Sequence, residues 1–325
     1  MRNQLMAFSV KTRKFLIVFL ILGWTGVLIY SSLRTHPLKF PLKAEQLYHD
    51  NRLLMGTFWE VSSPDKQASG IVFSEASRIE QLLSKYIPNS EVSRLNRLGK
   101  LKVSPDTFYI IKKSLEFYRL TQGVFDITVA PLVDLWGFAN QQFQVPSDDK
   151  IRAYLELVGS DKIILQEKDN MVEFKTPGMK IDLGAIAKGF ALDCAVKKLK
   201  EHNITSCLIN AGGQVYALGD KFGQSWKIAI RGTNKSEIAG TLELKNKSAS
   251  TSGDYEQFFF KDGIRYGHLI DPHTGYPAKV AFNSVTVVAD QGLTADALST
   301  SLFVAERKEA DKILKEFPEV SVKIY

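Results

Sequence analysis

From Ser206 onward the chain divides into short apolar or alternating stretches separated by glycine, asparagine and aspartate. These are Ser206 to Asn210, Gln214 to Leu218, Trp226 to Arg231, Ile238 to Leu244, Tyr255 to Lys261, Ile264 to Leu269 and Asn283 to Ala289. Each has the length of a strand, and Asp262-Gly263 is a strong hairpin signal between two of them. Helical patterns flank the series. Val72, Ala76, Ile79, Leu83 and Tyr86 recur at helical spacing before Pro88-Asn89, and Ser104-Pro105-Asp106 supplies an N-cap, an N1 proline and a first-turn acid ahead of Phe108 to Tyr118. Ser147 to Val158, Ala185 to His202, Thr294 to Ala305 and Lys308 to Phe317 are further predicted helices. Leu53 to Ser62 reads as one strand broken by Met55-Gly56-Thr57, Lys162 to Lys175 as a hairpin, and Val320 to Tyr325 as a last strand. Helices and strands interleave without a regular βαβ repeat. The expected fold is therefore α+β, with a mostly antiparallel or mixed sheet and packed helices, in one domain spanning 47–325.

The N-terminus is of another kind. Phe15 to Leu33 is uncharged and apolar, and as a helix it would reach about 28 Å, close to the thickness of a hydrocarbon core. Lys11, Arg13 and Lys14 precede it, and Tyr30 stands where a cleavage site wants a small residue. The expectation is an uncleaved signal anchor at 15–33 with a cytoplasmic basic stretch at 1–14, a tether at 34–46 and the body on the extracytoplasmic side. A cleaved signal is the alternative. The formal net charge of +7 belongs to this region: residues 1–43 hold seven lysines and arginines and no acid, while the rest of the chain carries 35 basic and 35 acidic residues. A basic surface for nucleic acid is thus not indicated. Cys194 and Cys207, the two cysteines, show no zinc spacing and read either as a pair or as buried free thiols.

Several stretches have the composition of a site. Tyr266 to Pro277 brings His268, Asp271 and His273 together with two turn signals, and alone it describes a surface turn as well as a reactive loop. Asp182-Leu183-Gly184-Ala185-Ile186-Ala187-Lys188-Gly189 runs through glycine into a helix N-terminus, which favours phosphate, although neither a Walker A nor a G-x-G-x-x-G pattern is present. Close packing through Gly184 and Gly189 is the preferred reading of that stretch by itself. Asn210-Ala211-Gly212-Gly213 and Thr251-Ser252-Gly253-Asp254-Tyr255 read as loops that let backbone approach a ligand. Gly123 to Leu132, with Phe125 and Asp126, is either a ligand wall or a core corner. Asp296 and Thr300, four residues apart, share one helical face and suit an oxygen-seeking ion such as magnesium; from spacing alone an ordinary first-turn acid is preferred.

Taken together and in order, these segments resemble the FAD:protein FMN transferase family, the ApbE-type flavin transferases. The resemblance spans Leu54 to Ala305 and adds Ser90-Glu91-Val92-Ser93-Arg94-Leu95-Asn96. Leu95 stands where the family usually has Phe, and no lipobox cysteine follows the apolar run. The resemblance implies an ApbE-like fold and a magnesium-dependent enzyme that cleaves the FAD pyrophosphate and transfers FMN to a threonine or serine hydroxyl of a target flavoprotein, such as a subunit of a membrane redox complex. It implies Ala185, Asp296 and Thr300 as metal-binding positions and His268 as the base, supported by Asp271. Lys188, Gly212, Gly213, Gly253 and Asp254 would hold phosphates and flavin, with Met55, Phe125 and Asp126 completing the flavin site. An FAD pyrophosphatase using water as acceptor and a flavin-binding module without turnover are the alternatives.

Overall fold

A computed structural model describes residues 46–231, 238–253, 257–278 and 283–325; the expected anchor and tether lie outside the described residues. The chain opens with β1 (Tyr48–Leu54) and β2 (Thr57–Ser63), an antiparallel hairpin. The predicted single strand is therefore two, because Met55 and Gly56 both take positive φ and reverse the chain between them. Then come α1 (Ala68–Leu83), α2 (Glu91–Leu98), β3 (Lys100–Lys102) and α3 (Pro105–Leu120). Ser104 caps α3 as expected, its hydroxyl accepting from the Thr107 amide. A 3-10 turn (Ile127–Val129), α4 (Ala130–Leu135) and α5 (Asp148–Leu155) follow, and β4 (Ile163–Gln166) and β5 (Met171–Phe174) form the predicted hairpin, which β3 extends to three strands.

The remainder supplies the framework of the site. It comprises α6 (Ala187–Glu201), β6 (Cys207–Ala211), β7 (Gln214–Leu218), β8 (Trp226–Arg231), β9 (Ile238–Leu244) and β10 (Lys247–Gly253). β11 (Phe258–Lys261), β12 (Ile264–Gly267), β13 (Ser284–Ala289), α7 (Gly292–Val304), α8 (Arg307–Lys315) and β14 (Ser321–Ile324) complete it. The main sheet has the order β1-β2-β6-β7-β10-β13-β14, every neighbouring pair antiparallel. β10 corrects the sequence reading: Thr251 to Gly253, expected as a loop, end an inner strand. Its sequence, Lys-Ser-Ala-Ser-Thr-Ser-Gly, lacks the apolar alternation of a strand because its hydroxyls bond to β7, β13 and α7 rather than to water.

One face of the sheet packs against α1, α6 and α7 around Trp59, Val72, Ile79, Leu192, Ile209 and Val287. The β8–β9 hairpin covers the other face through Trp226, Ile230 and Leu242. A smaller apolar cluster around Trp136, Phe138, Ile151 and Ile270 anchors the β11–β12 hairpin, where Phe259 stacks on Tyr266. Cys207 lies in β6 and Cys194 on α6, both as free thiols pushed up to about 12 by burial. Among the described residues no helix is long and apolar enough to cross a membrane.

Candidate active site

The site is set by the meeting of two helix N-termini. The first residues of α6 and α7 cross so closely that a Cβ on Gly189 would stand 2.2 Å from the Gly292 carbonyl oxygen, and one on Gly292 would stand 2.5 Å from that of Gly189. Neither helix is capped by its own N-cap side chain. Each caps the other instead. The Asp296 carboxylate of α7 accepts from the Gly189 amide at 2.9 Å, and the Asp193 carboxylate of α6 accepts from the Gly292 and Leu293 amides at 2.6 and 2.9 Å. Free amides and the helix dipole favour an anion at such a position. Asp193 is nevertheless pushed up to about 6, chiefly by burial, which outweighs those two hydrogen bonds.

This crossing closes one end of a cavity of about 240 Å³. Ala185, Asp296 and Thr300 all line it, as do Lys188, Gly212, Gly253, Phe125, Asp126 and His268. Most of the residues singled out in the sequence are thus brought together from six separate segments. Asp296 is 4% exposed, and among the described residues only the Gly189 amide bonds its carboxylate, through Oδ2. Thr300 Oγ1 lies 3.5 Å from Ser252 Oγ, so the hydroxyl row of β10 faces the helix that carries Asp296. Gly212, at φ +62, passes so close to Thr57 that a Cβ would sit 2.2 Å from its hydroxyl oxygen.

His268 follows β12 directly. Its amide and its Nδ1 both contact the Gln257 carbonyl oxygen, at 3.0 and 3.1 Å. A carbonyl only accepts, so Nδ1 carries the hydrogen and Nε2 is the basic nitrogen. Burial pushes the imidazole below its ordinary value; the Gln257 carbonyl opposes this, and the charge of Lys188 adds to it. His268 is therefore neutral at neutral pH.

Other predicted residues have different surroundings. Both Asp271 carboxylate oxygens are engaged inside its own turn, Oδ1 by the His273 amide at 2.9 Å and Oδ2 by the Thr274 hydroxyl at 2.8 Å. His273 Nε2 donates to the Gln122 carbonyl, and the Trp136 indole donates to that of Gly275, so the turn is clamped to the preceding segments. The Asp126 carboxylate accepts from Thr128 and Ser160 through both their amides and hydroxyls. Burial raises its pKa against those bonds, and it joins two loops at the cavity wall. Gly213 forms the β6–β7 turn, donating to Asn210 Oδ1, and is not among the residues lining the cavity. Met55 lines an adjoining cleft of about 460 Å³ that shares Tyr86, Asp182, Gly184 and Lys188 with the first. Asp254 lies outside the described residues.

The sequence reading passed over Tyr86, Lys85, Gln214 and Gln257. Tyr86, 68% exposed, borders both clefts, and beside it Lys85 Nζ lies 2.8 Å from Asp182 Oδ2, an ion pair by distance but off the line of a hydrogen bond. Lys85 keeps a raised pKa because Asp182 outweighs its burial. The helical spacing that includes Tyr86 predicts a helix reaching Pro88, but the helix ends at Leu83 and leaves Tyr86 at the surface. Among the described residues no three His, Cys, Asp or Glu side chains cluster as a metal centre. A cation here would have to draw on hydroxyl and backbone oxygen beside Asp296.

Residues 55–324 match the ApbE family. An FAD:protein FMN transferase of Haemophilus influenzae is 33% identical over 246 residues, covering 72% of this chain and 71% of the relative. Among solved structures, the ApbE protein of Thermotoga maritima superposes with a TM-score of 0.80 at 34% identity, covering 86% of this chain and 94% of that one. The flavin transferase ApbE of Vibrio cholerae superposes with a TM-score of 0.77 at 28% identity, covering 86% and 93%.

Proposed function

The chain belongs to the ApbE family, and on that premise we propose that it is an FAD:protein FMN transferase acting on a threonine or serine hydroxyl of a target flavoprotein. The observation that carries this reading is the sharing of one cavity by a neutral, half-buried His268, a carboxylate and hydroxyl on α7, and Lys188 on the first turn of α6. In the proposed reaction the acceptor hydroxyl oxygen attacks the FMN phosphorus. The new P–O bond forms as the pyrophosphate P–O bond breaks, AMP leaves, and the hydroxyl proton passes to His268 Nε2. Lys188, on the first turn of α6 and in the cavity wall, would hold phosphate oxygens there. Phe125, Tyr86 and Met55 provide apolar surface for the rings. Asp271 is a positioning residue, holding the turn that follows His268.

Asp296, Thr300 and the backbone of Ala185 form a hard-oxygen donor set that suits magnesium and leaves room for water and substrate phosphate. Magnesium, when bound, neutralises charge on a pyrophosphate and stabilises the leaving phosphate. The apolar run at 15–33 supports an anchored enzyme with its body on the extracytoplasmic side, beside membrane redox complexes whose subunits would be its targets. Incubation with FAD, magnesium and a threonine-bearing acceptor protein tests the central reading. We expect a mass increase of one FMN on the acceptor together with AMP. Free FMN and AMP with an unmodified acceptor would make the protein a pyrophosphatase, and FAD retained intact would make it a flavin-binding module. Carbonate extraction of membranes expressing the full chain tests the anchor, with release into the soluble fraction counting against it.

A further inference from the structure

Gln214, the first residue of β7, is 1% exposed and lines the same cavity as Asp296 and Thr300. Its amide orientation is set by chemistry. Nε2 donates to the Gly292 carbonyl at 3.0 Å and to Ser248 Oγ at 3.2 Å. The first of these can only accept, and the second has already committed its proton to the Val215 carbonyl. The NH2 group must therefore face them, which leaves Oε1 as the other end of the amide. That oxygen is buried and has no hydrogen-bond partner among the described residues. A buried carbonyl oxygen without a donor is costly in a folded protein, and a residue of a cavity wall can gain the missing donor from what the cavity binds.

The neighbours of Gln214 say which partner. The carbonyl that anchors its Nε2 belongs to Gly292, which touches Gly189, and the Gly189 amide holds Asp296 Oδ2. Across the sheet Gln214 pairs with Ser250, whose Oγ bonds Ser299 of α7, one residue before Thr300. The amide and the carboxylate are thus fixed against the same helix crossing. A water on a cation directs its hydrogens outward and is a donor of the kind this oxygen lacks. Resting on the magnesium reading above, we propose that Gln214 Oε1 accepts a hydrogen bond from a water on the cation held by Asp296, Thr300 and Ala185, which makes Gln214 a positioning residue for the hydration shell of that ion.

The test compares wild type with Gln214→Met and Gln214→Glu in the absence of FAD, titrating Mn2+ in place of Mg2+ and measuring free Mn2+ by its electron paramagnetic resonance signal. Both variants lose the donor to Gly292 and Ser248, and only Met loses the oxygen. We expect Gln214→Met to bind Mn2+ at least about 10-fold more weakly, as loss of such outer partners typically does, and Gln214→Glu to bind as tightly as wild type or tighter. Equal weakening of both variants would assign Gln214 to packing alone, and unchanged affinity in Gln214→Met, or weaker FAD binding without any change in Mn2+, would assign the oxygen elsewhere; each overturns the proposal. Absence of Mn2+ uptake by the wild-type chain overturns it too. Flavin transfer by the wild type, measured alongside, separates these results from failure of the enzymatic reading, which would show as an unmodified acceptor.

Discussion

The two sides of the cavity are built in opposite ways. The floor, where α6 meets α7, is held by contacts between residues about a hundred positions apart: Asp296 reaches Gly189 across 107 residues and Asp193 reaches Gly292 across 99. The His268 side has distant clamps too, from His273 to Gln122 and from Trp136 to Gly275, but it adds a local frame. The turn at 269–278 carries its own hydrogen bonds, from Asp271 to His273, Thr274 and Gly275, and leans on a small aromatic cluster of its own. In the floor the groups that would hold ligand are also the groups that hold the fold, whereas on the turn side the two tasks fall to different residues. The contrast predicts that floor substitutions lower activity and stability together and that turn substitutions separate them.

Asp296→Ala should have the largest effect. It removes the carboxylate from the proposed cation site and leaves the Gly189 amide uncapped, so transfer should fall on the order of 10³-fold, while loss of the cap costs about 1 kcal/mol in chemical denaturation. Full activity at low magnesium would remove Asp296 from the site. His268→Ala should lower transfer by about 10² or more with little change in melting temperature. The pH profile sharpens the point. As the proposed base His268 must be neutral, and burial holds its pKa below 6.5, so wild-type rate should be flat above that value and fall as pH drops through the lowered pKa. The variant should lose this acid limb, and retention of the limb would move the base elsewhere.

Gly189→Ala should destabilise by about 1–3 kcal/mol, since its methyl group would meet the Gly292 carbonyl oxygen inside van der Waals contact. Its activity loss should track its unfolding, and a stable but inactive variant would weaken the link between fold and floor. Asp271→Asn is the smallest. One side-chain oxygen survives to accept from the His273 amide, and the other becomes an NH2 donor to which the Thr274 hydroxyl can turn as acceptor, at a cost of about 1 kcal/mol or less. If it matched His268→Ala in rate without any change in stability, Asp271 would act on the chemistry directly rather than through the turn.

Much of this was legible in the chain. Ser104-Pro105-Asp106 placed α3 because capping is decided within four residues, and Gln214 to Leu218, Trp226 to Arg231 and Ile238 to Leu244 coincide with β7, β8 and β9 because their side chains alternate or are uniformly apolar. Two strands that the sequence hides share a cause as well. β1 is mostly exposed and polar, and β10 is rich in serine, so neither shows the pattern by which a strand is recognised. Both are strands because neighbouring backbone satisfies their amides and carbonyls.

Local chemistry therefore determined the helix caps, most of the strands and the turn after His268, and the order of the motifs was enough to identify the family. Only the tertiary structure decided that Asp296 caps α6 while Asp193 caps α7, that the Asp271 carboxylate serves its own turn, and that Gln214 of the cavity wall keeps a buried oxygen without a partner among the described residues. Periodicity and capping are properties of neighbours in sequence, fixed by backbone geometry over a few residues. The partner of a buried polar atom is chosen by whichever element packs against it, and here that element comes from another part of the chain.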